Sequence, residues 1–147
     1  MIVYRIAKQE YSKALRASGY SARWNAKGSF VIYTAASRSL ACLENLVHRS
    51  GEGNHALYKV MLIQIPDNLE IEIIDVNKLK PGWQKIENYF YCQNKALAWL
   101  SGGEKPILKV PSGLIKNEFN FIINAGHADF KKIKLTGSED FIFDPRF

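Results

Sequence analysis

A few charged and hydroxyl-bearing side chains stand in segments that are otherwise apolar. Arg23 lies in ARWN, Glu44 in CLENLVH and Ser112 in VPSG. Arg5 and Tyr33 lie in the apolar runs IVYRIA and VIYTA. A guanidinium binds phosphate or carboxylate through its planar fork, an aromatic ring stacks on a flat group, and a carboxylate stabilises positive charge. Together these residue types predict a site for an anionic ligand, with a carboxylate and a hydroxyl beside it.

Glu44 falls on the apolar face of a predicted helix. Leu40, Leu43 and Val47 recur at helical spacing, and Glu44 comes four residues after the first and three before the last. A carboxylate on such a face costs free energy unless it has a partner or borders a cavity. The pattern fits a half-exposed residue at the edge of the stripe, and it also fits a catalytic carboxylate at a cleft.

The other residues have ordinary interpretations as well. Tyr33 is typical of a buried strand, and Arg23 beside Trp24 is typical of a surface stacking pair. Ser112 follows a proline, where a serine usually caps the backbone of a turn. Alternation along the strand could direct Arg5 to the surface or into a pocket. It is the combination that favours a site.

The elements that position these residues follow from periodicity and turn signals. Strands are predicted over IVYRIA, FVIYTA, ALYKVMLIQIP, LEIEIIDV, PILKVPSGLI (broken at Pro111) and the start of NEFNFIINAGHADF. Helices are predicted over SRSLACLENLVHRSG, from Ser37 or Ser39 to Gly51, and over YCQNKALAWLSGGEK, ended by Gly102-Gly103. Short helical pieces are predicted in SKALRASG, closed by Gly19, and in KLKPGWQK. KKIKLTGSEDFIFDPRF reads as strand pieces around a glycine-containing turn.

This order of elements predicts one α+β domain over residues 1–147, a mixed domain with a twisted β-sheet core and flanking helices. The helices do not alternate regularly enough for a doubly wound parallel sheet. The 147 residues are 47% hydrophobic and 23% charged, which is ordinary for a globular domain.

Charge and cysteine content restrict the function only loosely. The net charge of +6 favours an anionic ligand, an acidic partner protein or nucleic acid. Lys131, Lys132 and Lys134 alternate with apolar residues and indicate a solvated strand face. Cys42 and Cys92 lie in apolar contexts and are expected to be small buried hydrophobic residues.

Several familiar site types do not match. The sequence has no P-loop, dinucleotide fingerprint or GxSxG elbow, and His48, His55 and His127 lack zinc-site spacing. No metal is therefore expected. The start of the chain does not resemble a signal peptide, and no apolar run approaches the roughly 20 residues that span a bilayer. A cytoplasmic protein without membrane contact is the expectation.

The ordered motifs resemble the RES domain family. They are YRI, ARWNAKG, VIYTAAS, ACLENLVH, VPSGLI, NFIINAGHADF and FDPRF, and they run from Tyr4 to Phe147. The resemblance implies a small bacterial toxin, usually encoded beside an Xre-type antitoxin, with a fold like that of ADP-ribosyltransferase toxins. The family is named for an arginine, a glutamate and a serine.

The resemblance also implies the site. By motif the namesake residues are Arg23, Glu44 and Ser112, and further positions that line the family's NAD+ site match Arg5, Tyr33 and Asn120; His127 matches a recurrent position. Two departures affect loop shape. Ser21-Ala22 stands where a glycine pair often precedes the arginine, and Ala125-Gly126 stands where a proline often follows the asparagine.

The implied activity is depletion of NAD+ by cleavage of the nicotinamide–ribose bond. Phosphorolysis to nicotinamide and ADP-ribose-1″-phosphate is the expected reaction, with NAD+ as substrate, inorganic phosphate as co-substrate and no tightly bound cofactor. ADP-ribosylation of a protein is the first alternative, and a non-enzymatic nucleic-acid-binding module is the second. The expected partner is an Xre-type antitoxin that blocks the active site, with nucleic acid contacted only through it. A homodimer stays open.

Overall fold

The computed structural model of the protein describes residues 1–49 and 56–147. Its strands are β1 Ile2–Lys8, β2 Val31–Ala35, β3 Tyr58–Gln64, β4 Ile71–Ile73, β5 Ile107–Pro111, β6 Phe119–Asn124 and β7 Lys134–Phe141. They form one sheet in the order β4-β5-β6-β2-β1-β3-β7. Neighbouring strands are antiparallel except β4 and β5, which are parallel. The predicted α+β class is confirmed.

In the described part of the chain, two α-helices accompany the sheet, α1 Arg38–His48 and α2 Tyr89–Gly102. Of the two candidate caps for α1, Ser37 is the one used, because its Oγ accepts the Leu40 N–H at 3.1 Å. Helix α2 ends at Gly103, whose left-handed φ of 64° suits a glycine after a helix. Gly51, the predicted stop of α1, and His55 lie outside the described residues.

The core occupies both faces of the sheet. Ile107 and Ile123 pack in one cluster, whereas their neighbours Leu108 and Ile122 pack in another, because successive strand residues point to opposite faces. Cys92 of α2 belongs to the second cluster and is fully buried. Cys42 is only half-buried, and both thiols are free.

The helical turn predicted in SKALRASG is wrong. The only helical piece nearby is a 3-10 turn at Gln9–Tyr11, and residues 15–20 are irregular. Leu15 and Ala17 are partly buried against the core while Arg16 and Ser18 are exposed. This alternation has the period of an extended chain, so packing against the core overrides the local helical propensity.

The turn predicted around Gly137 is also wrong, because β7 continues through it. Leu62 pairs with Gly137 and Ile63 pairs with Leu135, which leaves Thr136 as the extra residue of a β-bulge. Gly137 therefore marks a bulge rather than a chain reversal.

The lysine cluster is solvated as predicted, but it is not a strand face. Lys131 and Lys132 end a 3-10 helix at Ala128–Lys132, and only Lys134 belongs to β7. Among the residues that the structure describes, no helix is both long and apolar enough to cross a membrane.

Candidate active site

A cavity of about 540 Å³ lies between α1, the β1–β2 region and the loops that precede β2 and α2. This volume is within the range of roughly 300–1,000 Å³ for small-molecule sites. Five of the six predicted site residues line it: Arg5, Arg23, Tyr33, Glu44 and Asn120. The sixth, Ser112, lies directly behind the wall, in hydrogen-bond contact with Glu44.

The Glu44 carboxylate is held from three sides. Its Oε1 accepts hydrogen bonds from Asn120 Nδ2 at 2.7 Å and from Ser112 Oγ at 3.2 Å. Its Oε2 lies 3.7 Å from His48 Nε2, one helical turn along α1. Burial alone would raise the pKa of Glu44, but the nearby His48 imidazole and the hydrogen bonds from Asn120 and Ser112 outweigh burial, and the pKa is lowered. Glu44 is therefore a fixed anion at the cavity, not a proton donor.

Ser112 has little freedom to do anything but orient Glu44. Its Oγ accepts the backbone N–H groups of Leu114 at 3.1 Å and Ile115 at 3.2 Å, and its own hydrogen is donated to Glu44. The side chain is buried. The turn-capping interpretation from sequence is thus confirmed, and the cap also points the hydroxyl at the carboxylate.

Asn120 reaches Glu44 from β6. A carboxylate only accepts hydrogen bonds, so the amide must turn its nitrogen towards Glu44. Its Oδ1 is then left buried with no hydrogen-bond partner among the described residues. Asn120 thus gives up one hydrogen bond to stabilise the carboxylate.

Arg23 occupies the tip of a two-residue turn, because Ala22 and Asn25 pair with each other on either side of it. Its guanidinium carbon lies 4.7 Å from the ring centre of Tyr89 and 5.6 Å from that of Trp83, and Nη1 donates to the Trp83 carbonyl at 3.2 Å. No carboxylate of the described chain forms a salt bridge with it.

The predicted stacking of Arg23 on its neighbour Trp24 is wrong. Trp24 points into the core, where it is buried and packs against Trp83 with the two ring centroids 5.8 Å apart. Gly113 lies on the guanidinium instead, so closely that a Cβ there would be 3.0 Å from Arg23 Nη2.

Arg5 lines the same cavity from β1. Strands β1 and β2 pair only at Tyr4 and Ala35, so they diverge and the cavity reaches Arg5 and Thr34 between them. Burial lowers the pKa of Arg5, yet a guanidinium stays charged at neutral pH. Among residues 1–49 and 56–147, no side chain makes a hydrogen bond or ion pair with the guanidinium, so these residues give the cation no direct counter-charge.

Tyr33 contributes its ring to the cavity, but its hydroxyl is already engaged. The hydroxyl donates to Asn25 Oδ1 at 2.7 Å and accepts the Trp24 N–H at 3.0 Å. Burial raises the pKa of Tyr33, so the phenol is neutral.

His127 is not part of the cavity lining. Its Nδ1 accepts the Asp129 N–H at 2.9 Å and its Nε2 lies 3.1 Å from the Glu104 carbonyl, so the ring joins two loops. In the described chain, no group of three His, Cys, Asp or Glu side chains could hold a metal ion.

Sequence reasoning missed several residues that line the cavity or contact Arg23 beside it. His48 could have been found from its i,i+4 spacing to Glu44 on a predicted helix. Trp83, Tyr89 and Gly113 carry no such local signal, since they meet Arg23 only through the fold.

The model of the RES domain family matches residues 2–144. The chain belongs to the RES domain family. Toxin Res of Yersinia enterocolitica is 30% identical to this RES domain over 151 residues, which covers 99% of each chain. The Prs ADP-ribosylating toxin of Sphingobium sp. is 32% identical over 126 residues, covering 84% of this chain and 78% of that protein.

The fold of this RES domain also has a solved counterpart. A chain of the crystal structure of the M. tuberculosis MbcT–MbcA toxin–antitoxin complex superposes with a TM-score of 0.76 over 96% of this chain and 84% of its own, at 18% identity. The family predicted from the motifs is thus confirmed. Of the residues predicted from its motifs, Arg23 and Glu44 line the cavity and Ser112 contacts Glu44 from behind its wall.

Proposed function

We propose that the protein is the toxin of a toxin–antitoxin pair and that it cleaves the nicotinamide–ribose bond of NAD+. One observation carries the proposal. A carboxylate held as an anion, Glu44, shares a cavity with two guanidinium groups, Arg5 and Arg23, that form no salt bridge with any described residue. A cavity with this charge pattern suits a ligand that has an anionic part and a centre that becomes positive.

NAD+ has both features. Its pyrophosphate carries two negative charges, which match the fork-shaped donors of Arg5 and Arg23. Its nicotinamide ribose gains positive, oxocarbenium character as the glycosidic bond breaks, which a nearby carboxylate stabilises. Glu44 supplies that carboxylate, and the Tyr33 ring lies in the same cavity to pack against the nicotinamide.

In the proposed step, the bond between ribose C1″ and the pyridinium nitrogen breaks and its electron pair stays on nitrogen. Nicotinamide leaves as a neutral molecule, so no general acid has to protonate it. An oxygen of hydrogen phosphate forms the new bond to C1″, and the phosphate proton passes to solvent. The lowered pKa of Glu44 fits this scheme, because the carboxylate acts as a charge and not as an acid.

Ser112 and Asn120 orient Glu44 in this scheme. The Ser112 hydroxyl lies 3.2 Å from the carboxylate and already caps two backbone N–H groups. A direct contact from Ser112 to the ribose or phosphate stays a prediction. Asn120 is proposed to act in the same way, as the stronger of the two donors at 2.7 Å.

The acceptor distinguishes two enzymatic alternatives. Phosphate as acceptor gives ADP-ribose-1″-phosphate, whereas a protein side chain as acceptor gives an ADP-ribosylated protein. The name of the Sphingobium relative, an ADP-ribosylating toxin, favours keeping the second. The nucleic-acid-binding alternative rests on the net charge of +6 and predicts salt-dependent binding without loss of NAD+.

The proposed partner is an antitoxin that covers the cavity mouth in the cytoplasm. Tyr20 and Ile86 line the cavity and are 78% and 79% exposed, as apolar groups at a protein interface would be before binding. The Xre type of the antitoxin and the choice between monomer and homodimer remain expectations from the family resemblance.

The test is to incubate the purified protein with NAD+ in the presence and absence of inorganic phosphate, and to quantify nicotinamide and the sugar product. Phosphorolysis predicts nicotinamide release that depends on phosphate, together with ADP-ribose-1″-phosphate. Phosphate-independent release with free ADP-ribose would indicate hydrolysis. Labelled protein in a cell lysate would indicate transfer, and unchanged NAD+ in every arm would refute the proposal.

A further inference from the structure

The turn that presents Arg23 is held by side chains from two other elements. Ala22 and Asn25 close the turn by backbone hydrogen bonds of 3.0 and 3.3 Å, which places Arg23 at the cavity and Trp24 in the core. A two-residue turn at the protein surface would not by itself fix a long side chain. The contacts around Asn25 supply the missing restraint.

Asn25 is the centre of these contacts and is almost completely buried. Its Nδ2 faces three carbonyls of its own loop, those of Tyr20 at 2.8 Å, Ala26 at 3.2 Å and Ser29 at 3.4 Å. Its Oδ1 accepts the Tyr33 hydroxyl. The amide nitrogen therefore faces only acceptors and the amide oxygen faces a donor, so the orientation of the Asn25 side chain is fixed.

The Tyr33 hydroxyl has a single hydrogen, which it donates to Asn25 Oδ1. The hydroxyl oxygen accepts the Trp24 N–H. It therefore has no proton left to donate to a ligand in the cavity. Its two partners are the residues immediately after Arg23, so the hydroxyl fixes the backbone of the turn to β2.

Gln93 of α2 fixes the opposite side of the turn. Its Nε2 lies 2.8 Å from the Ala22 carbonyl and 3.1 Å from the Asn25 carbonyl, the residues on either side of the tip. The same helix begins at Tyr89, whose ring carries the Arg23 guanidinium. One helix thus restrains both the backbone and the side chain of Arg23.

We propose that the Tyr33 hydroxyl, Asn25 and Gln93 are positioning residues that act through Arg23, and that Tyr33 does not recognise the substrate through its hydroxyl. This inference rests on the proposed function only for the ligand, since Arg23 is taken to hold the anionic part of NAD+. It gives Tyr33 two separable parts, a ring in the cavity and a hydroxyl that holds the turn.

The first experiment needs no ligand. Hydrogen exchange of the Trp24 amide is measured by NMR in the wild type, Tyr33→Phe, Gln93→Met and Tyr91→Phe. The Tyr91 hydroxyl also accepts a backbone N–H, that of Lys80 at 3.0 Å, but Tyr91 does not line the cavity, which makes it the matched control. Exchange at Trp24 should quicken about 5-fold in Tyr33→Phe and not change in Tyr91→Phe. Unchanged exchange in Tyr33→Phe overturns the proposal.

The second experiment is a double-mutant cycle on NAD+ consumption and on binding of ADP-ribose by calorimetry. Tyr33→Phe should raise KM and the ADP-ribose Kd about 3- to 10-fold with a smaller change in kcat, and Arg23→Ala about 10- to 100-fold. In the Arg23→Ala background, Tyr33→Phe should have no further effect, because the residue it positions is gone. Equal losses in both backgrounds would show that Tyr33 acts independently and would overturn the proposal.

The two experiments separate the two claims. If the wild type neither consumes NAD+ nor binds ADP-ribose, the proposed function fails, and exchange at Trp24 still decides whether Tyr33 holds the turn. If the wild type is active and the variants are additive, the proposed function stands and the positioning inference fails.

Discussion

Asn120→Asp would place two carboxylates against each other with almost no change in shape. The amide nitrogen that now donates to Glu44 lies 2.7 Å from its Oε1, so the introduced carboxylate oxygen would take that position. At this separation and an effective dielectric constant of about 20, two like charges repel by about 6 kcal/mol. The doubly charged pair is therefore not populated if another protonation state has a lower free energy.

The protonation state of lower free energy is the one in which the two carboxyl groups share a proton. Holding a proton at pH 7 on a carboxyl with the ordinary glutamate pKa of 4.5 costs about 3.4 kcal/mol. This is less than the repulsion, so the pair takes up a proton and its pKa is raised. A raised pKa in the folded state gives stability that is present at low pH and is lost as the pH rises through that pKa.

Asn120→Asp should therefore be destabilised by about 3 kcal/mol near pH 7, or about 10 °C in Tm, and should recover towards pH 5. Thermal unfolding from pH 5 to 8 measures this, with Asn120→Ala as the control that removes the donor without adding a charge. NAD+ consumption should fall at neutral pH as the Glu44 charge is shared. A Tm difference between the two variants that does not change with pH would refute the reasoning.

Three further variants or conditions probe the same cavity. Gly113→Ala would place a Cβ 3.0 Å from Arg23 Nη2, and the φ of residue 113 lies outside the left-handed region, so the backbone accepts alanine. The displaced guanidinium should lower kcat/KM for NAD+ about 10-fold with little change in Tm. An unchanged kcat/KM would show that the position of the guanidinium is unimportant. Ser112→Ala should cost about 1–3 kcal/mol in urea unfolding and lower NAD+ turnover about 10-fold; complete loss of turnover in a folded variant would indicate a direct chemical role instead. The rate of nicotinamide release should fall on the acid side only below pH 4.5, because the hydrogen bonds to Glu44 outweigh burial and lower its pKa. A rate that already falls above pH 4.5 while the protein is still folded would contradict this.

Local patterns predicted most of the elements because their signals lie within a few residues. Ser37 caps α1 and Gly103 ends α2 for reasons that are visible in the sequence. The helix predicted in SKALRASG was wrong because Leu15 and Ala17 indicate an extended chain only once it is known that both pack against the core. The turn predicted around Gly137 was wrong because, in the sequence alone, a glycine at a β-bulge cannot be distinguished from a glycine in a turn; the paired strand β3 distinguishes them.

The site could be predicted only in part for the same reason. Helical spacing placed Glu44 on an inward face, but Val47 on that face is 59% exposed, so the stripe opens towards the cavity instead of continuing into the core. Two partners of Glu44, Ser112 and Asn120, are 68 and 76 residues away in the sequence, beyond any periodic pattern. Asn120 came from the family resemblance alone, and Ser112 was also visible as a hydroxyl after Pro111. The aromatic rings that contact Arg23 required the fold.

The most direct measurement of the central claim is the rate of nicotinamide release from NAD+ by Glu44→Gln. Glutamine keeps the shape and an oxygen that can accept from Asn120 and Ser112, so Tm should stay within a few degrees of the wild type. Loss of the fixed negative charge should slow release by about 100- to 1,000-fold. A folded Glu44→Gln variant that releases nicotinamide at the wild-type rate would contradict the claim that this carboxylate stabilises the ribose as it becomes positive.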